Sequence, residues 1–361
     1  MQATRKQVGI WLLAIALIIL AMVTIGGLTR LTGSGLSITQ WNPIVGAIPP
    51  LGHAEWEHAF ALYQKIPQYL LENPEMSLNA FKGIFWWEWT HRFLGRLLGV
   101  AFIVPFLLFA WKGAIRKSEW PRMVVLFLLG GLQGFIGWWM VESGLETRVS
   151  VSQYRLAIHL GTALLLLVAI LWIALEYLRD PKPAREADGA PSPVAEGAPR
   201  AIVFAILVYC QMLLGALVAG LHAGLIYNTW PDMNGRFLPE NPLFARPWWI
   251  NFFANPGLAQ FDHRMGAYVV AGFALFLCAR GMKLQGYAKL TAKLVAAITV
   301  FQVSLGIVTL LFAAPEALAA LHQVTAATLL CAAVWHAYEL QHYRGAAARS
   351  AFTPALVPSR R

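Results

Sequence analysis

Residues 88–112 read EWTHRFLGRLLGVAFIVPFLLFAWK, and this segment is the most informative part of the sequence for the fold. A polar and aromatic start, which contains Glu88, His91 and Arg92, gives way to a mainly apolar run that extends to Trp111. About 20 apolar residues are enough for a helix to cross the hydrocarbon core of a bilayer. Ionisable groups at the edge of such a helix are costly, and they are therefore candidates for function. The stretch predicts a membrane helix that carries a functional histidine at its start.

The composition extends this prediction to the whole chain. Of 361 residues, 58% are hydrophobic and 13% are charged, and the mean hydropathy is +0.56. This balance predicts a membrane protein with several spans. The net charge of +10 is attributed to membrane topology and not to nucleic-acid binding, because no basic patch is interleaved with aromatic residues. The apolar run after Lys6 is too long for a signal peptide, so a retained first helix is expected. The three cysteines lie inside apolar runs, and we expect them to be buried.

Eight stretches are long and apolar enough to span a membrane, and they cover residues 8–29, 90–112, 122–141, 156–177, 201–221, 262–283, 291–313 and 318–340. Pro, Ala, Glu and Gly dominate the connection after the fourth stretch, a composition typical of a flexible linker. We therefore predict an all-α membrane protein whose eight transmembrane helices form two tandem four-helix bundles related by pseudo-two-fold symmetry. The N-terminal bundle, cytoplasmic linker, C-terminal bundle and cytoplasmic tail are predicted at residues 1–178, 179–200, 201–341 and 342–361.

The distribution of charge predicts the orientation. Most of the 28 lysines and arginines fall on one side if the N-terminus is cytoplasmic, so the positive-inside rule places both termini in the cytoplasm. The two long outer loops, residues 30–84 and 222–260, contain few charges but several Trp and Tyr residues. Such residues favour the membrane interface, so these loops are expected to lie over the bundles as lids.

A duplication supports the two-bundle prediction. Matched landmarks occur in the same order in both halves: Gly26-Gly27-Leu28 with Gly215-Ala216-Leu217, His91-Arg92 with His263-Arg264, Gln133 and Gly137 with Gln302 and Gly306, and His159 and Thr162 with His322 and Thr325. Because both halves begin on the cytoplasmic side, the repeats are parallel, and an axis along the membrane normal is expected to relate them.

The matched histidines indicate the chemistry. His91, His159, His263 and His322 each lie near the outer start of an even-numbered span, which gives two facing imidazoles in each half. Zinc needs three or four convergent ligands, whereas six-coordinate haem iron takes two axial imidazoles. Hydrogen bonding between helices is the alternative for a single polar residue, but four matched positions favour haem. Glycines are expected to leave room for the flat macrocycle, namely Gly95, Gly99, Gly137, Gly161, Gly266 and Gly306.

The halves differ at one position, because Glu88 precedes His91 by three residues and Gln260 precedes His263 by the same interval. A carboxylate one turn from His91 could move protons beside the group that this histidine binds, and a glutamine could not. We therefore predict chemistry in the first half and a haem that only passes electrons in the second. Four arginines near the helix starts are expected to pair with haem propionates: Arg92, Arg96, Arg155 and Arg264.

These residues resemble the haem A synthases of the cytochrome oxidase assembly pathway, over essentially all of residues 8–340. The strings that carry the resemblance are GGLTRLTGSGLS at 26–37, WEWTHRFLGR at 87–96, AGLHAGLIYNTWP at 219–231 and FDHR at 261–264. The resemblance implies an enzyme that oxidises the C8 methyl group of haem O to a formyl group. It implies that His263 and His322 bind a haem b cofactor, that His91 and His159 belong to the substrate haem, and that Glu88 is catalytic. Loop 30–84 has no cysteine, as in the cysteine-free proteobacterial and mitochondrial subgroup.

The short N-terminus, which has no Arg- and Ser-rich transit segment, favours a bacterial inner membrane over a mitochondrion. Because the four histidines lie near the outer starts of their spans, the haem sites are expected towards the periplasm. The expected partners are haem O supplied by haem O synthase, membrane lipid, an unidentified electron acceptor and a second copy of the chain. Two functions from other classes stay open at this point. A di-haem b electron carrier would conduct electrons without modifying either haem. A transporter is the other alternative, and only the internal repeat and the linker support it.

Overall fold

A computed structural model of the chain describes residues 4–146, 148–179 and 197–342. Within these residues the fold consists of helices and connecting segments, with no strand. The helices are α1 Arg5–Leu31, α2 His53–Tyr63, α3 Pro67–Glu72, α4 Leu78–Trp111, α5 Trp120–Leu145, α6 Gln153–Leu178, α7 Gly197–Gly220, α8 Asn251–Ala254, α9 Pro256–Gly281, α10 Gly286–Leu311 and α11 Glu316–Gln341. Eight of them are long and apolar enough to cross a membrane, as the sequence predicts, and α2, α3 and α8 are the short ones.

Local sequence signals set the ends of several spans. Thr4 and Gln7 form a capping box at the start of α1, in which each side chain satisfies a main-chain N–H of the other residue. Asn255 accepts hydrogen bonds from the first main-chain N–H groups of α9, and Pro256 occupies the first helical position, where its missing N–H has no cost. After α1, Gly33 adopts a positive φ of 66° and turns the chain away from the helix axis.

The predicted start of the second span was wrong by about three turns. The helix that carries His91 begins at Leu78, capped by Ser77, and its 34 residues span about 50 Å. The hydrocarbon core is only ~30 Å thick, so the first turns of α4 project beyond it. His91 therefore lies in the middle of a long helix and not at its mouth, whereas the other three matched histidines lie in the second turn of their helices.

The two halves share one apolar core. Helix α1 packs on α4 and α6, α6 packs on α7, and α11 packs on α7, α10, α6 and α1. Buried residues from both halves, such as Leu12, Leu164, Phe204 and Leu330, belong to one continuous cluster. Gln323 of α11 also donates from Nε2 to the main-chain oxygen of Val23 in α1 at 2.6 Å. The bundles are thus in contact along their length, and the predicted pseudo-two-fold axis and domain limits stay predictions.

The segment between α1 and α4 has a small core of its own. Tyr63 and Phe81 are fully buried there and pack with Trp56 and Phe85. The Tyr63 hydroxyl donates to Gln68 at 3.1 Å, and burial raises the pKa of this phenol. Leu36 contacts Gly144 of α5, where an added methyl group would lie 2.6 Å from it. The prediction that this loop lies over the bundle is confirmed, and the end of the bundle that it covers is called the loop end below.

Two other expectations from the sequence were wrong or fall outside the described residues. Cys210 is exposed on the protein surface, and Cys278 and Cys331 are half-exposed, because spans present apolar residues to lipid as well as to the core. Most of the predicted linker 179–200 and of the tail 342–361 lies outside the described residues. The last four linker residues belong to α7, which begins at Gly197.

Candidate functional site

Each of the four matched histidines packs against a glycine of the preceding membrane helix. A methyl group added to that glycine would approach the Cε1 atom of the ring, at 2.9 Å for Gly26 and His91, 3.0 Å for Gly137 and His159, 3.2 Å for Gly215 and His263, and 2.7 Å for Gly306 and His322. The two shortest distances exclude any side chain unless the ring moves, and the other two are tight. Contact with a glycine of the preceding membrane helix therefore helps to position all four imidazoles.

The histidine pair of the second half has the spacing of a bis-imidazole metal site. The ring centres of His263 and His322 lie 6.3 Å apart, with 76° between the ring planes. Two metal–nitrogen bonds of about 2 Å, each with the ring centre about 1 Å behind the nitrogen, require ~6 Å between ring centres. The pair therefore fits one metal ion between its rings. Haem iron is such an ion, because the porphyrin supplies the other ligands.

The first-half histidines share part of this arrangement. His91 and His159 rest on the matched glycines Gly26 and Gly137. Among the described residues, no group of three or more His, Cys, Asp or Glu side chains is placed to hold a metal ion. Each pair therefore supplies two ligands, which suits a metal that brings its own macrocycle.

A glutamine one turn before the glycine contacts three of these histidines. Nε2 of Gln133, Gln211 and Gln302 donates to the main-chain oxygen of His159, His263 and His322 at 2.8, 2.7 and 2.9 Å. The same Nε2 atoms lie 3.1, 3.0 and 3.1 Å from Nδ1 of these rings. Groups in contact with a ligand histidine fix its orientation. Gln211 is not among the landmarks of the repeat given above, although it precedes Gly215 by the interval that separates Gln133 from Gly137.

The glycines expected to leave room for a macrocycle mostly have another role. Gly137 and Gly306 accommodate histidine rings, Gly266 accommodates Gln211, and Gly161 accommodates Tyr209 of α7. Only Gly99 has no atom within 4 Å of an added methyl group, and Gly95 has only Met22 at 3.5 Å. Sequence spacing marks small residues, but it does not tell which of them face a protein atom.

The arginines near the histidines bind main-chain oxygens of the loop end. Arg92 donates to Ile38 at 2.8 Å and to Gln40 at 3.1 Å, and Arg96 donates to Pro43 at 2.7 Å and to Asn42 at 2.9 Å. In the second half, Arg264 donates to Tyr227 at 2.7 Å and to Asp232 at 2.8 Å. Arg155 likewise donates to the main-chain oxygen of Trp139. Binding of propionates by these arginines stays a prediction. The observed contacts make Arg92, Arg96 and Arg264 anchors of the loop segments, whereas Arg155 links α6 to α5.

Glu88 and Gln260 are part of the same anchors. The Glu88 side chain, 4% exposed, forms an ion pair of 2.6 Å with Arg92 and accepts hydrogen bonds from the Ser37 hydroxyl and the Ile38 N–H, both at 2.8 Å. Gln260 accepts from Arg264 at 2.9 Å, but its Nε2 donates to the main-chain oxygens of Ala223 and Ile226 at 2.7 and 2.6 Å. The segment around Ile38 presents hydrogen-bond donors to Glu88, whereas the segment 223–226 presents main-chain acceptors to Gln260. The difference between Glu88 and Gln260 therefore has a structural cause as well.

The family model for cytochrome oxidase assembly proteins, COX15-CtaA, matches residues 9–334. The chain belongs to the COX15-CtaA family. Curated relatives are similar to it over nearly their whole length. A heme A synthase of Parvibaculum lavamentivorans strain DS-1 is 45% identical over 338 residues, which are 94% of this chain and 95% of that protein. Heme A synthases of Allorhizobium ampelinum strain S4 and Caulobacter sp. strain K31 are 48% and 47% identical, covering 92% and 93% of this chain and 90% and 96% of theirs.

Two of the remaining histidines of this COX15-CtaA protein make contacts of their own outside the two pairs. His336 is buried, and its Nδ1 lies 2.8 Å from the Thr291 hydroxyl of α10, which is a contact between helices. His53 forms an exposed ion pair with Glu57, and His58 is exposed. Arg30, which the sequence analysis did not select, is half-buried at the loop end of α1. Its guanidinium has no hydrogen-bond or ion-pair partner among the described residues, so Arg30 joins the candidates for binding a haem carboxylate.

Proposed function

We propose that this chain is a haem A synthase, which oxidises the C8 methyl group of haem O to a formyl group for cytochrome oxidase assembly. The observation that carries the proposal is the imidazole pair of His263 and His322, whose ring centres lie 6.3 Å apart. Membership of the COX15-CtaA family and the relatives named heme A synthase support it. The class of enzyme is then an oxidoreductase acting on a methyl group.

In this proposal the two pairs have different tasks. His263 and His322, each in contact with a glutamine, hold a resident haem b. His91 and His159 hold the iron of the substrate, haem O. Haem supplies redox chemistry that amino-acid side chains lack. The helices of the protein would position the histidine nitrogens that bind the iron, and the segments anchored by the arginines would cover the loop end and exclude water.

The reaction has a definite electron balance. Conversion of a methyl group to a formyl group takes one oxygen atom from water and releases four protons and four electrons, so the enzyme requires an electron acceptor as a partner. Glu88 is the proposed acid–base residue for the protons released, since the other half has glutamine at this position. Its carboxylate lies one turn before His91 in α4, and its hydrogen bonds to Ser37 and Ile38 hold it in place for this task.

The cellular setting is proposed on the same basis. The protein would lie in a bacterial inner membrane with both termini cytoplasmic and the loop end, which the histidine pairs adjoin, towards the periplasm. Haem O synthase would supply the substrate, and copies of this chain would associate into a homo-oligomer. Membrane lipid surrounds the spans.

The deciding experiment is expression of the chain together with a haem O synthase in a bacterium that makes no haem A. Haems are extracted from the membranes and separated by chromatography. A new haem A peak that depends on this chain is the expected result. If the protein purifies with haem B while haem O remains unchanged, the chain is a di-haem electron carrier and the proposal is wrong.

A further inference from the structure

The four histidines are not held alike, and the exception is His91. Its Nδ1 atom is buried and has no hydrogen-bond partner. In the other three cases, Nδ1 lies 3.0 to 3.1 Å from a glutamine amide. Buried polar ring atoms normally have a partner, so the unpartnered atom marks a difference in how this imidazole is fixed.

Met22 is the cause of this difference. In three helices, the glutamine lies four residues before the glycine that accommodates the ring: Gln133 before Gly137, Gln211 before Gly215, and Gln302 before Gly306. In α1 the equivalent position, four residues before Gly26, is Met22. The Met22 side chain occupies a comparable place, because its Cε would lie 3.5 Å from a methyl group added at Gly95, one turn after His91. Gln211 in turn approaches Gly266, one turn after His263.

A thioether cannot replace the amide. Methionine has no donor group, so it cannot bind the main-chain oxygen of His91, whereas the glutamine amides bind this oxygen at the other three histidines. Its three rotatable bonds also let it adapt to a moving neighbour. The ring of His91 is therefore positioned by the contact with Gly26 and by packing alone.

We propose that Gln133, Gln211 and Gln302 are positioning residues that clamp His159, His263 and His322, and that Met22 leaves His91 as the exchangeable iron ligand. This inference rests on the proposed function, because it takes the histidine pairs to bind haem iron. The second half, with both imidazoles clamped, keeps its haem. The first half, with one clamped and one unclamped imidazole, admits haem and releases it, which a site for a substrate must do.

Haem transfer tests the proposal without measuring enzyme activity. The full-length protein in detergent is loaded with haem B as a probe and mixed with excess apomyoglobin, and absorbance records the loss of haem. Two phases are expected, and the fast one should disappear in His91→Ala. Loss of a group that orients a ligand histidine typically costs 10- to 100-fold in metal affinity. Met22→Gln should therefore slow the fast phase by roughly 10- to 100-fold.

Met22→Leu is the matched control, because it has a similar volume and no amide, and it should leave the fast phase unchanged. The reciprocal variant Gln211→Met should accelerate the slow phase by roughly the same factor. The midpoint potential of the first-half haem should move in Met22→Gln and stay constant in Met22→Leu, whereas a change in packing alone would affect both variants alike. The proposal is overturned if Met22→Gln leaves the fast phase within about twofold of the wild type, or if Met22→Leu slows it equally. Absence of haem A would refute the proposed function without altering these exchange rates.

Discussion

Glu88→Gln is the substitution that separates the structural role of this residue from its proposed chemical one. Three donors converge on the two carboxylate oxygens. Arg92 Nη2 donates to Oε1 at 2.6 Å, and the Ser37 hydroxyl and the Ile38 N–H both donate to Oε2 at 2.8 Å. Glutamine has one acceptor oxygen and one amino group, so it cannot satisfy both sides of this arrangement.

The cost depends on which side keeps the oxygen. If the amide oxygen stays with Arg92, the Ser37 hydroxyl can turn to the main-chain oxygen of Ile84, which lies 3.4 Å away. Only the Ile38 N–H then loses its acceptor, at a cost of roughly 1–3 kcal/mol. If the oxygen turns to Ile38, Arg92 loses a partner in a buried ion pair, which costs about 3–5 kcal/mol. The first arrangement is favoured, so the loop end should lose about 1–3 kcal/mol of local stability.

Limited proteolysis measures this loss. A change of about 1–3 kcal/mol corresponds to a roughly 5- to 150-fold larger open population, and cleavage between α1 and α4 should accelerate by that factor when opening is fast. Haem A formation and haem content are measured on the same samples. Ser37→Ala is the control, because it removes one donor and leaves the carboxylate. Cleavage of Glu88→Gln at the wild-type rate would refute the anchoring argument. Loss of anchoring with undiminished haem A formation would refute the acid–base role.

Three further substitutions test the remaining contacts. Gly306→Ala should lower the content of the second-half haem by roughly tenfold or more in a haemochrome assay, because the new methyl group would lie 2.7 Å from His322 Cε1. Gly272→Ala is the control and should retain the haem, because no atom lies within 4 Å of its methyl group. Gln260→Glu should lower the thermal stability of the protein, because a carboxylate would face the oxygens of Ala223 and Ile226, and each unpaired buried acceptor costs about 1–3 kcal/mol; an unchanged melting temperature would contradict the assigned contacts. Arg96→Lys should increase hydrogen exchange around Asn42 and Pro43 severalfold, since one ammonium group cannot reproduce both contacts of the guanidinium.

Hydropathy and the internal repeat are enough to predict the class of fold and to identify the four histidines. Long apolar runs predict membrane helices because the bilayer demands length and low polarity, and eight such helices are present. The duplicated order of landmarks identified His91, His159, His263 and His322, since residues repeated in two halves are subject to the same geometry. The apolar criterion failed at the start of α4, where residues 78–89 lie outside the required 20-residue run and are covered by α2 and α3.

The contacts of the polar residues around the histidines follow from the folded structure and not from the sequence pattern. The sequence shows Glu88, Arg92 and Arg264 one turn from a histidine, and proximity along a helix suggested haem or proton chemistry. In the folded chain they bind main-chain groups of the loop segments, because those segments return over the bundle from a distant part of the sequence. The contact of Met22 and of the glutamines with the histidine helices is likewise a contact between helices, and helix periodicity alone does not specify which faces meet.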